Sequence, residues 1–383
     1  MLDVSLVVMA AGSGSRLGLP VKKQFLYIDD EPLWLYVTKK ISSFYNFKKI
    51  IITCDNKEYY EKFLINKCEF VNGDEQRQGS LLNALDRVDS KWVLVLDSAR
   101  FGVEKHIVDN LINEALKGAF DCISPKLDVS DTAIYDDEFI DRSKLMRIQT
   151  PQLSKTNMLK KALMSAKIFT DDSSAIMSVG GKIGFISGDE KLEKITFLKD
   201  LKLLKDLAYP SSEIMVGTGF DVHEFCTSDK GSKAVSDKAL YLGGVKINDN
   251  FGLKAHSDGD VVLHALIDAL FGASMLNDIG HHYSDKDQKY KDISSSKLLD
   301  DAYKMIQGYG FELANADITI MCEKPKLGEY KEKIRKNLCD FFKTHKINVK
   351  ATTTEKLGFV GRGEGIACIA CVGLRYFKWQ KYL

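Results

Sequence analysis

Between Lys254 and Phe271 the chain reads Lys-Ala-His-Ser-Asp-Gly-Asp-Val-Val-Leu-His-Ala-Leu-Ile-Asp-Ala-Leu-Phe. A polar head, His256 to Asp260, gives way to a run apolar on almost every side, which predicts a buried helix. Ser257 or Asp258 is placed to cap it, and Ser257 with Asp260 has capping-box spacing. Inside the helix Asp260, His264 and Asp268 recur every four residues and share one face. Upstream, Gly219-Phe220-Asp221-Val222-His223 sets Asp221 and His223 two apart after an apolar run, on the same side of a strand. Two imidazoles and a carboxylate drawn from a strand and a helix are three ligands for a tetrahedral zinc with an open fourth position. A carboxylate one turn from an imidazole could orient it. The same residues also fit a buried His–Asp pair that merely satisfies itself.

A second chemistry opens the chain. Val4 to Met9 is a short apolar run, followed by Ala10-Ala11-Gly12-Ser13-Gly14-Ser15-Arg16-Leu17-Gly18. Strand, glycine loop and helix form a phosphate cradle, because glycines let backbone amides approach an anion that a helix start favours. The loop lacks the G-K-[ST] of a Walker motif, and its glycines at 12, 14 and 18 miss the dinucleotide spacing by one. Arg16, with Lys22 and Lys23 just beyond, supplies fixed cations for a polyphosphate.

Positioning these groups takes two architectures. In the first half, buried strands at Lys49 to Cys54 and Trp92 to Leu96 alternate with helices at Trp34 to Ser43, Lys57 to Ile65, Ser80 to Arg87 and His106 to Leu116. That pattern predicts a doubly wound, Rossmann-like α/β sheet, which binds ligands beyond its strand C-termini. Asp97 and Arg100 fall just past one such end, and Arg77 and Ser80 at a helix start. Lys199 to Leu207 reads as a closing helix. Ala208-Tyr209-Pro210-Ser211-Ser212-Glu213 reads as a linker. The boundaries are therefore 1–207, 208–213 and 214–383. In the second half, strands from Glu213, at Leu240 to Val245, Asp317 to Cys322 and Ile347 to Thr354, and a last strand after Gly365, alternate with helices at Ser296 to Tyr309 and Tyr330 to Phe342. The class is α+β or α/β.

The totals bound the function. A chain of 383 residues with 45% hydrophobic and 28% charged residues is an ordinary globular protein of two or three domains. A net charge of +1 argues against a nucleic-acid or membrane-surface role. No apolar run approaches the roughly 20 residues of a membrane span, and the N-terminus lacks the basic region of a signal peptide. Of eight cysteines only Cys368 and Cys371 have C-x-x-C spacing, on a segment that reads as a buried strand, where they are core thiols facing opposite ways. A reducing cytoplasm is expected.

Several motifs of the first half occur in the order of one family: Ala10 to Arg16, Lys23-Gln24-Phe25-Leu26, Arg77-x-x-Ser80, Asp97-Ser98-Ala99-Arg100, Asp131-Thr132 and Gln149-Thr150-Pro151-Gln152. Residues 3 to 207 thereby resemble 2-C-methyl-D-erythritol 4-phosphate cytidylyltransferases. The resemblance implies that Arg16 and Lys23 stabilise the transition state as the substrate phosphate attacks the α-phosphorus of CTP. It implies that Ala10, Ala11, Gly12, Gly14, Arg77 and Ser80 hold the nucleotide. Arg142 and Lys194 would position the methylerythritol phosphate, with Asp97, Arg100, Thr132 and Thr150 nearby. Mg2+ or another divalent cation would accompany the triphosphate. Ser98, Phe101 and Lys22 stand where the family usually has Ala, Pro and Pro.

The second half, from about Ile214 to Phe377, resembles 2-C-methyl-D-erythritol 2,4-cyclodiphosphate synthases. Gly219 to His223, Ala255 to His264, Asn277-Asp278-Ile279-Gly280 and Ala351 to Gly365 carry that resemblance. It implies Zn2+ on Asp221, His223 and His264, and phosphate contacts from His256 and Ser257. His256 and Thr353 would stabilise the transition state. Thr352, Thr353 and Thr354 would contact the substrate, and Glu355 would hold a second divalent cation on the diphosphate. Asp278, Ile279, Gly280, Tyr283, Ser284, Asp285, Lys286 and Asp287 would line the erythritol pocket. Phe359 and Arg362 would contact substrate, and Lys324 to Gly328 the cytidine. Tyr283-Ser284 and Cys322-Glu323 depart from the family pattern.

Together the two halves predict a bifunctional isoprenoid-precursor enzyme acting on small phosphorylated substrates. The resemblance also implies a homo-oligomer, a trimer or a hexamer, since the synthases are trimers with sites between subunits and the cytidylyltransferases are dimers. A pathway kinase must act between the two reactions and is a candidate partner. The alternative is an active synthase carrying an inactive N-terminal assembly module. A zinc hydrolase lacks H-E-x-x-H, and a dinucleotide oxidoreductase lacks the glycine spacing.

Overall fold

The computed structural model describes residues 2–63, 65, 67–226, 238–249, 252–255, 257–284, 287–290 and 293–383. The chain forms two compact units, Met1–Pro210 with Lys378–Leu383, and Ser211–Phe377. The last six residues therefore leave the 214–383 domain expected from the sequence. Their Trp379 is fully buried and its indole N–H is satisfied inside the first unit.

The first unit is built on an eight-stranded sheet. Val4–Met9 lies at its centre, parallel to Ile50–Cys54 on one side and to Trp92–Asp97 on the other. Cys68–Asn72 continues the Ile50–Cys54 side in parallel. On the other side, Gln152–Lys155 pairs antiparallel with both Trp92–Asp97 and Cys122–Asp128. Met146–Ile148 and Ile183–Ser187 complete the set against Cys122–Asp128. The central strands are buried along their whole length, as near-continuous Val, Ile and Leu runs require when helices cover both faces. The chain leaves Val4–Met9 toward one edge and later returns to its other side as Trp92–Asp97. That reversal of strand order opens a crevice beyond the paired ends Met9 and Asp97.

Two expected helices are shorter structures. After the glycine loop only a 3-10 turn forms, Ser15–Leu17, bracketed by Gly14 and Gly18 in left-handed conformation. Left-handed backbone at both flanks stops an α-helix from propagating. The expected closing helix is a 3-10 segment, Leu198–Leu204, whose start is fixed by Asp200 accepting from the amides of Thr196 and Phe197. The Ala133–Tyr135 and Glu138–Ile140 strands form a hairpin of their own, with Tyr135 74% and Phe139 78% exposed.

The second unit is a four-stranded sheet in the order Met215–Glu224, Gly365–Tyr376, Phe311–Met321, Ile347–Thr352. The last two run parallel and the other pairings are antiparallel. The helices Val261–Ala273, Ser295–Gly308 and Lys331–Phe342 accompany it. Val261–Ala273 lies against Met215–Glu224 at glycine distance. A Cβ at Gly217 would stand 2.1 Å from the carbonyl oxygen of Ala269, and one at Gly219 2.0 Å from that of Ala265. Alternation then carries the helix-facing side of the strand from Gly217 and Gly219 on to Asp221 and His223. The other side exposes Val216, Phe220 and Val222. The single strand expected at Leu240 to Val245 is a hairpin, Leu240–Leu242 with Val245–Asn248, turning at Gly243 and Gly244.

Candidate active sites

The crevice of the first unit holds about 330 Å³ and is lined by the glycine loop, Arg16, Lys23, Arg77, Ser80, Asp97 and Lys194. Gln24 ties the loop to the lysine segment, its side-chain amide donating to the Gly12 carbonyl at 2.7 Å. Ala10 is held at both polar atoms: its amide donates to Thr53 Oγ1 at 3.1 Å, and its carbonyl accepts from Tyr60 at 2.9 Å. Asp97 sits at the strand end with Lys194 Nζ 2.7 Å away, Arg77 Nε at 3.7 Å and Arg100 Nε at 3.9 Å. Burial alone would raise its pKa, but these three cations hold the carboxyl well below the usual carboxylate range. Arg77 is anchored a second time, to the buried Asp172 at 3.1 Å. Lys23 lies among like charges. Burial, then Lys194, with smaller pushes from Arg16 and Arg100 and a counterpull from Asp97, lowers its pKa to about 8.

Such an arrangement is a rigid set of cations, one of them poorly solvated, facing backbone amides at the mouth of a sheet. It suits transfer at phosphorus, where positioning and fixed positive charge carry most of the catalysis. Ser80 plays a different part from a free hydroxyl: it accepts from the Asp74 amide at 2.8 Å and holds the 74–76 turn. Thr150 is buried, 3.5 Å from the Asp97 amide, and Arg100 lines an adjoining cleft with Lys194 and Thr196. Thr132 and Arg142 are exposed and outside the crevice, flanking the 133–140 hairpin. Arg142 there donates to the Ser130 carbonyl at 2.6 Å. Thr53, Asp74, Glu75 and Thr196 also line the crevice, and none of them belongs to a sequence motif. Only the position of Thr53 near the end of an apolar strand hinted at its place.

In the second unit Asp221, His223 and His264 converge as the strand and helix faces require. His223 Nε2 lies 3.0 Å from Asp221 Oδ2, His264 Nδ1 lies 3.1 Å from the same oxygen, and the two ring nitrogens are 3.1 Å apart. Ligand atoms about 2.0–2.1 Å from a tetrahedral zinc stand roughly 3.3 Å from one another. The triangle therefore fits such an ion with little movement, and it is the cluster of metal-ligand side chains found among the described residues. Burial opposes ionisation of Asp221, yet the two imidazoles hold its carboxyl well below the usual range. Burial likewise disfavours charge on His264, and Asp221 overcomes it and raises its pKa.

The groups around His264 differ from those expected. Asp260, not Ser257 or Asp258, caps the helix, accepting from Val262 and Leu263. It also accepts from the amides of Gly243 and Gly244 at 2.8 and 2.7 Å, so its carboxylate is fully engaged by backbone. Asp268 accepts from the Ile279 amide at 2.7 Å. Neither orients the imidazole. Ser295 does, its Oγ lying 2.9 Å from His264 Nε2, with Ser257 Oγ at 3.2 Å.

A cleft of about 380 Å³ opens beside the cluster, lined by Ser257, Ile279, Gly280, Tyr283 and Asp287 among others. Tyr283 is buried and donates to Asp301 at 2.9 Å. Asp278 caps the short helix Ile279–His282, and Ser284 is exposed beyond it. His256, Asp285 and Lys286 lie outside the described residues. Thr352, Thr353, Thr354, Glu355, Phe359 and Arg362 do not line this cleft. Thr352 ends the Ile347–Thr352 strand, Thr353 to Glu355 sit on the turn after it, Phe359 on the short helix Gly358–Gly361 and Arg362 at the end of that helix. There Thr353 donates to Glu355 at 3.1 Å, Glu323 accepts from the amides of Thr354 and Lys356, and Arg362 pairs with Glu364.

Comparison with known proteins agrees with both halves. Residues 4–207 match the family model for 2-C-methyl-D-erythritol 4-phosphate cytidylyltransferase, and residues 214–375 that of the YgbB family. The chain is 54% identical to the bifunctional enzyme IspD/IspF of Campylobacter lari and 51% to that of Campylobacter concisus, over the full length of all three. A solved structure of the bifunctional IspDF from Campylobacter jejuni superposes with a TM-score of 0.89 at 48% identity, covering 99% of this chain and 100% of that one. The chain belongs to the bifunctional IspD/IspF family, a 2-C-methyl-D-erythritol 4-phosphate cytidylyltransferase joined to a 2-C-methyl-D-erythritol 2,4-cyclodiphosphate synthase.

Proposed function

We propose that the two clefts divide the chemistry as follows. In the first, the glycine loop and Arg77 seat CTP, with Mg2+ or a similar cation on its triphosphate. Arg16 and Lys23 face the α-phosphorus. Lys194, held by Asp97, and Arg100 orient methylerythritol 4-phosphate. A phosphate oxygen of that substrate attacks the α-phosphorus, the bond to the β-phosphate breaks, and pyrophosphate leaves. Every protein group named is a charge or a dipole already in place, so the barrier falls through preorganisation. Intact Arg16, Lys23 and Arg77 favour an active domain over a mere assembly module.

In the second cleft Asp221, His223 and His264 would hold Zn2+, which when bound supplies Lewis-acid polarisation of the diphosphate. Ser257 and His256 contact phosphate, and residues 278–287 receive the erythritol. The substrate's own 2-phosphate attacks the β-phosphorus, and CMP leaves. Thr353 and Glu355, absent from this cleft, would reach the site of a neighbouring subunit, with Glu355 on a second divalent cation. The apolar face of Val216, Phe220, Val222 and Ile369 is suited to bury itself in that assembly, a trimer or, with pairing of the first units through the 133–140 hairpin, a hexamer. Thr132 and Arg142 would then serve a partner's crevice.

The observation that carries this reading is the triangle of Asp221, His223 and His264 at 3.0–3.1 Å beside an open cleft. Between the two reactions an ATP-dependent kinase must act, and that kinase is the expected partner. Among the described residues no helix is long and apolar enough to cross a membrane, and the eight cysteines are free. Both fit work in the cytoplasm. The direct test is product analysis by mass spectrometry: CTP with methylerythritol 4-phosphate, and separately the doubly phosphorylated cytidyl intermediate with zinc added or chelated. Absence of pyrophosphate in the first, or zinc-independent CMP release in the second, would overturn the assignment.

A further inference from the structure

Lys378–Leu383 belongs to the first unit although the whole of Ser211–Phe377 separates it in sequence from the rest of that unit. Trp379 is fully buried there. Its Nε1 donates to the Tyr27 carbonyl at 2.7 Å, and the Tyr209 ring meets it edge-on at 5.5 Å. The turn it begins, Trp379–Tyr382, packs against the Leu198–Leu204 segment.

The hydrogen bond has a structural logic. Tyr27–Ile28 and Glu31–Pro32 form a small hairpin in which Ile28 pairs with Glu31, and the Leu33 amide donates to the Leu26 carbonyl at 2.9 Å. Hydrogen-bonded and non-hydrogen-bonded pairs alternate, so the Tyr27–Pro32 pair between them is of the second kind. The Tyr27 carbonyl points away from its own hairpin, and a buried carbonyl so placed takes its donor from elsewhere. Trp379 supplies one.

Two segments meet at this tail, and each carries a lysine of the crevice. The Lys23–Phe25 turn runs through Leu26 into Tyr27. Lys194 runs through Thr196 into Leu198–Leu204, fixed on the way by the Ile195 amide donating to the Ala99 carbonyl at 3.1 Å. Both lysines line the one crevice, so their separation depends on how these two backbone segments are held. We infer that Trp379 is a positioning residue for cytidylyl transfer, joining the backbone segments that bear Lys23 and Lys194. The first reaction then depends on Lys378–Leu383, a segment that follows the synthase half in sequence.

The proposal rests on the reading of Lys23 and Lys194 as working cations. Its test uses the full chain with Trp379→Ala, Trp379→Phe, Lys23→Ala and Lys194→Ala. Trp379→Ala should lower kcat for cytidylyl transfer at least about tenfold, with a smaller change in KM for CTP. Trp379→Phe, which keeps a ring and loses the donor, should lower it roughly threefold. In both, the alkaline limb of kcat/KM should move upward, because Lys23, faced by Lys194, Arg16, Arg100 and Asp97, separates from a like charge. Cyclisation by the same protein should be unchanged. Unaltered kcat and an unmoved limb in a folded Trp379→Phe protein would overturn the proposal, as would parallel loss of both activities. Full transfer by both lysine variants would instead overturn the reading beneath it.

Discussion

Ser295 Oγ lies 2.9 Å from Nε2 of His264, while Nδ1 of the same ring faces Asp221 and His223. Ser295 donates to Asp258 Oδ1 at 2.5 Å, so its oxygen is left to accept from the ring. With a metal on Nδ1, Nε2 would carry the hydrogen and donate it to Ser295. Hydroxyl and carboxylate together fix the tautomer that leaves a lone pair for a metal.

Ser295→Ala should therefore weaken zinc binding about tenfold, at the lower end of the effect of such outer partners because Ser257 stays within reach. Competition against a chromophoric chelator reads this without any turnover. Unchanged affinity would remove Ser295 from the account.

Lys23 should make activity and stability respond to pH in opposite directions. Its pKa falls from the ordinary 10.5 to about 8, with burial the largest cause and Lys194 next. Between those two values the unfolded chain binds the proton and the folded one does not, so this group's contribution to stability rises with pH across the window. Over the same window the crevice loses a cation, and kcat/KM for transfer should fall with a midpoint near 8. Lys23→Ala should lower transfer at least about tenfold, roughly 1.4 kcal/mol in the barrier, while melting no lower than the parent at pH 7. A rate profile flat through pH 9 would contradict the role given to Lys23.

Gly219→Ala should damage both the second unit's stability and its metal site. The added Cβ would stand 2.0 Å from a backbone oxygen that belongs to the helix carrying His264. Relief requires moving helix from strand, at a cost of about 3 kcal/mol, and it separates His264 from Asp221 and His223. Denaturant unfolding and chelator competition should change together. A stable variant with parental zinc affinity would show that the helix and strand tolerate separation.

What the sequence made legible follows from periodicity. The alternation that placed Asp221 and His223 on one side also placed Gly217 and Gly219 there, and the four-residue spacing within the helix brought His264 to the same face. The crevice at Met9 and Asp97 was legible because an apolar strand ending in a glycine loop needs no distant partner to be read. Legibility failed where neighbours in sequence compete and neighbours in space decide. Ser257, Asp258 and Asp260 can each cap a helix, and Asp260 does so because the Gly243–Gly244 turn offers it two more amides. Ser295 orients His264 from another helix, and Trp379 reaches Tyr27 from the far end of the chain. Thr53 and Thr196 carry no motif at all. The glycine loop's expected helix failed through Gly14 and Gly18, whose left-handed backbone the sequence permits but does not require.

Phe220→Asp tests the assembly. Phe220 is 56% exposed and Val216 66%, on the side of Met215–Glu224 that faces away from the Val261–Ala273 helix, and Phe220 pairs across the sheet with the 44% exposed Ile369. An antiparallel sheet accepts one solvated face, but that face is ordinarily polar. A charge there leaves Asp221 and His223 on the opposite side untouched, so the subunit should fold and bind zinc as before. Burying an unpaired carboxylate between subunits is unfavourable by several kcal/mol. Sedimentation should then show smaller species than the parent. Because Thr353 and Glu355 lie outside the cleft of their own chain, cyclisation should fall at least about tenfold as the assembly dissociates. Cytidylyl transfer would fall less, since its crevice gathers Arg16, Lys23, Arg77 and Lys194 from one chain. Full cyclisation by a dissociated variant would mean that one subunit suffices, and the Thr353–Glu355 turn would need another role.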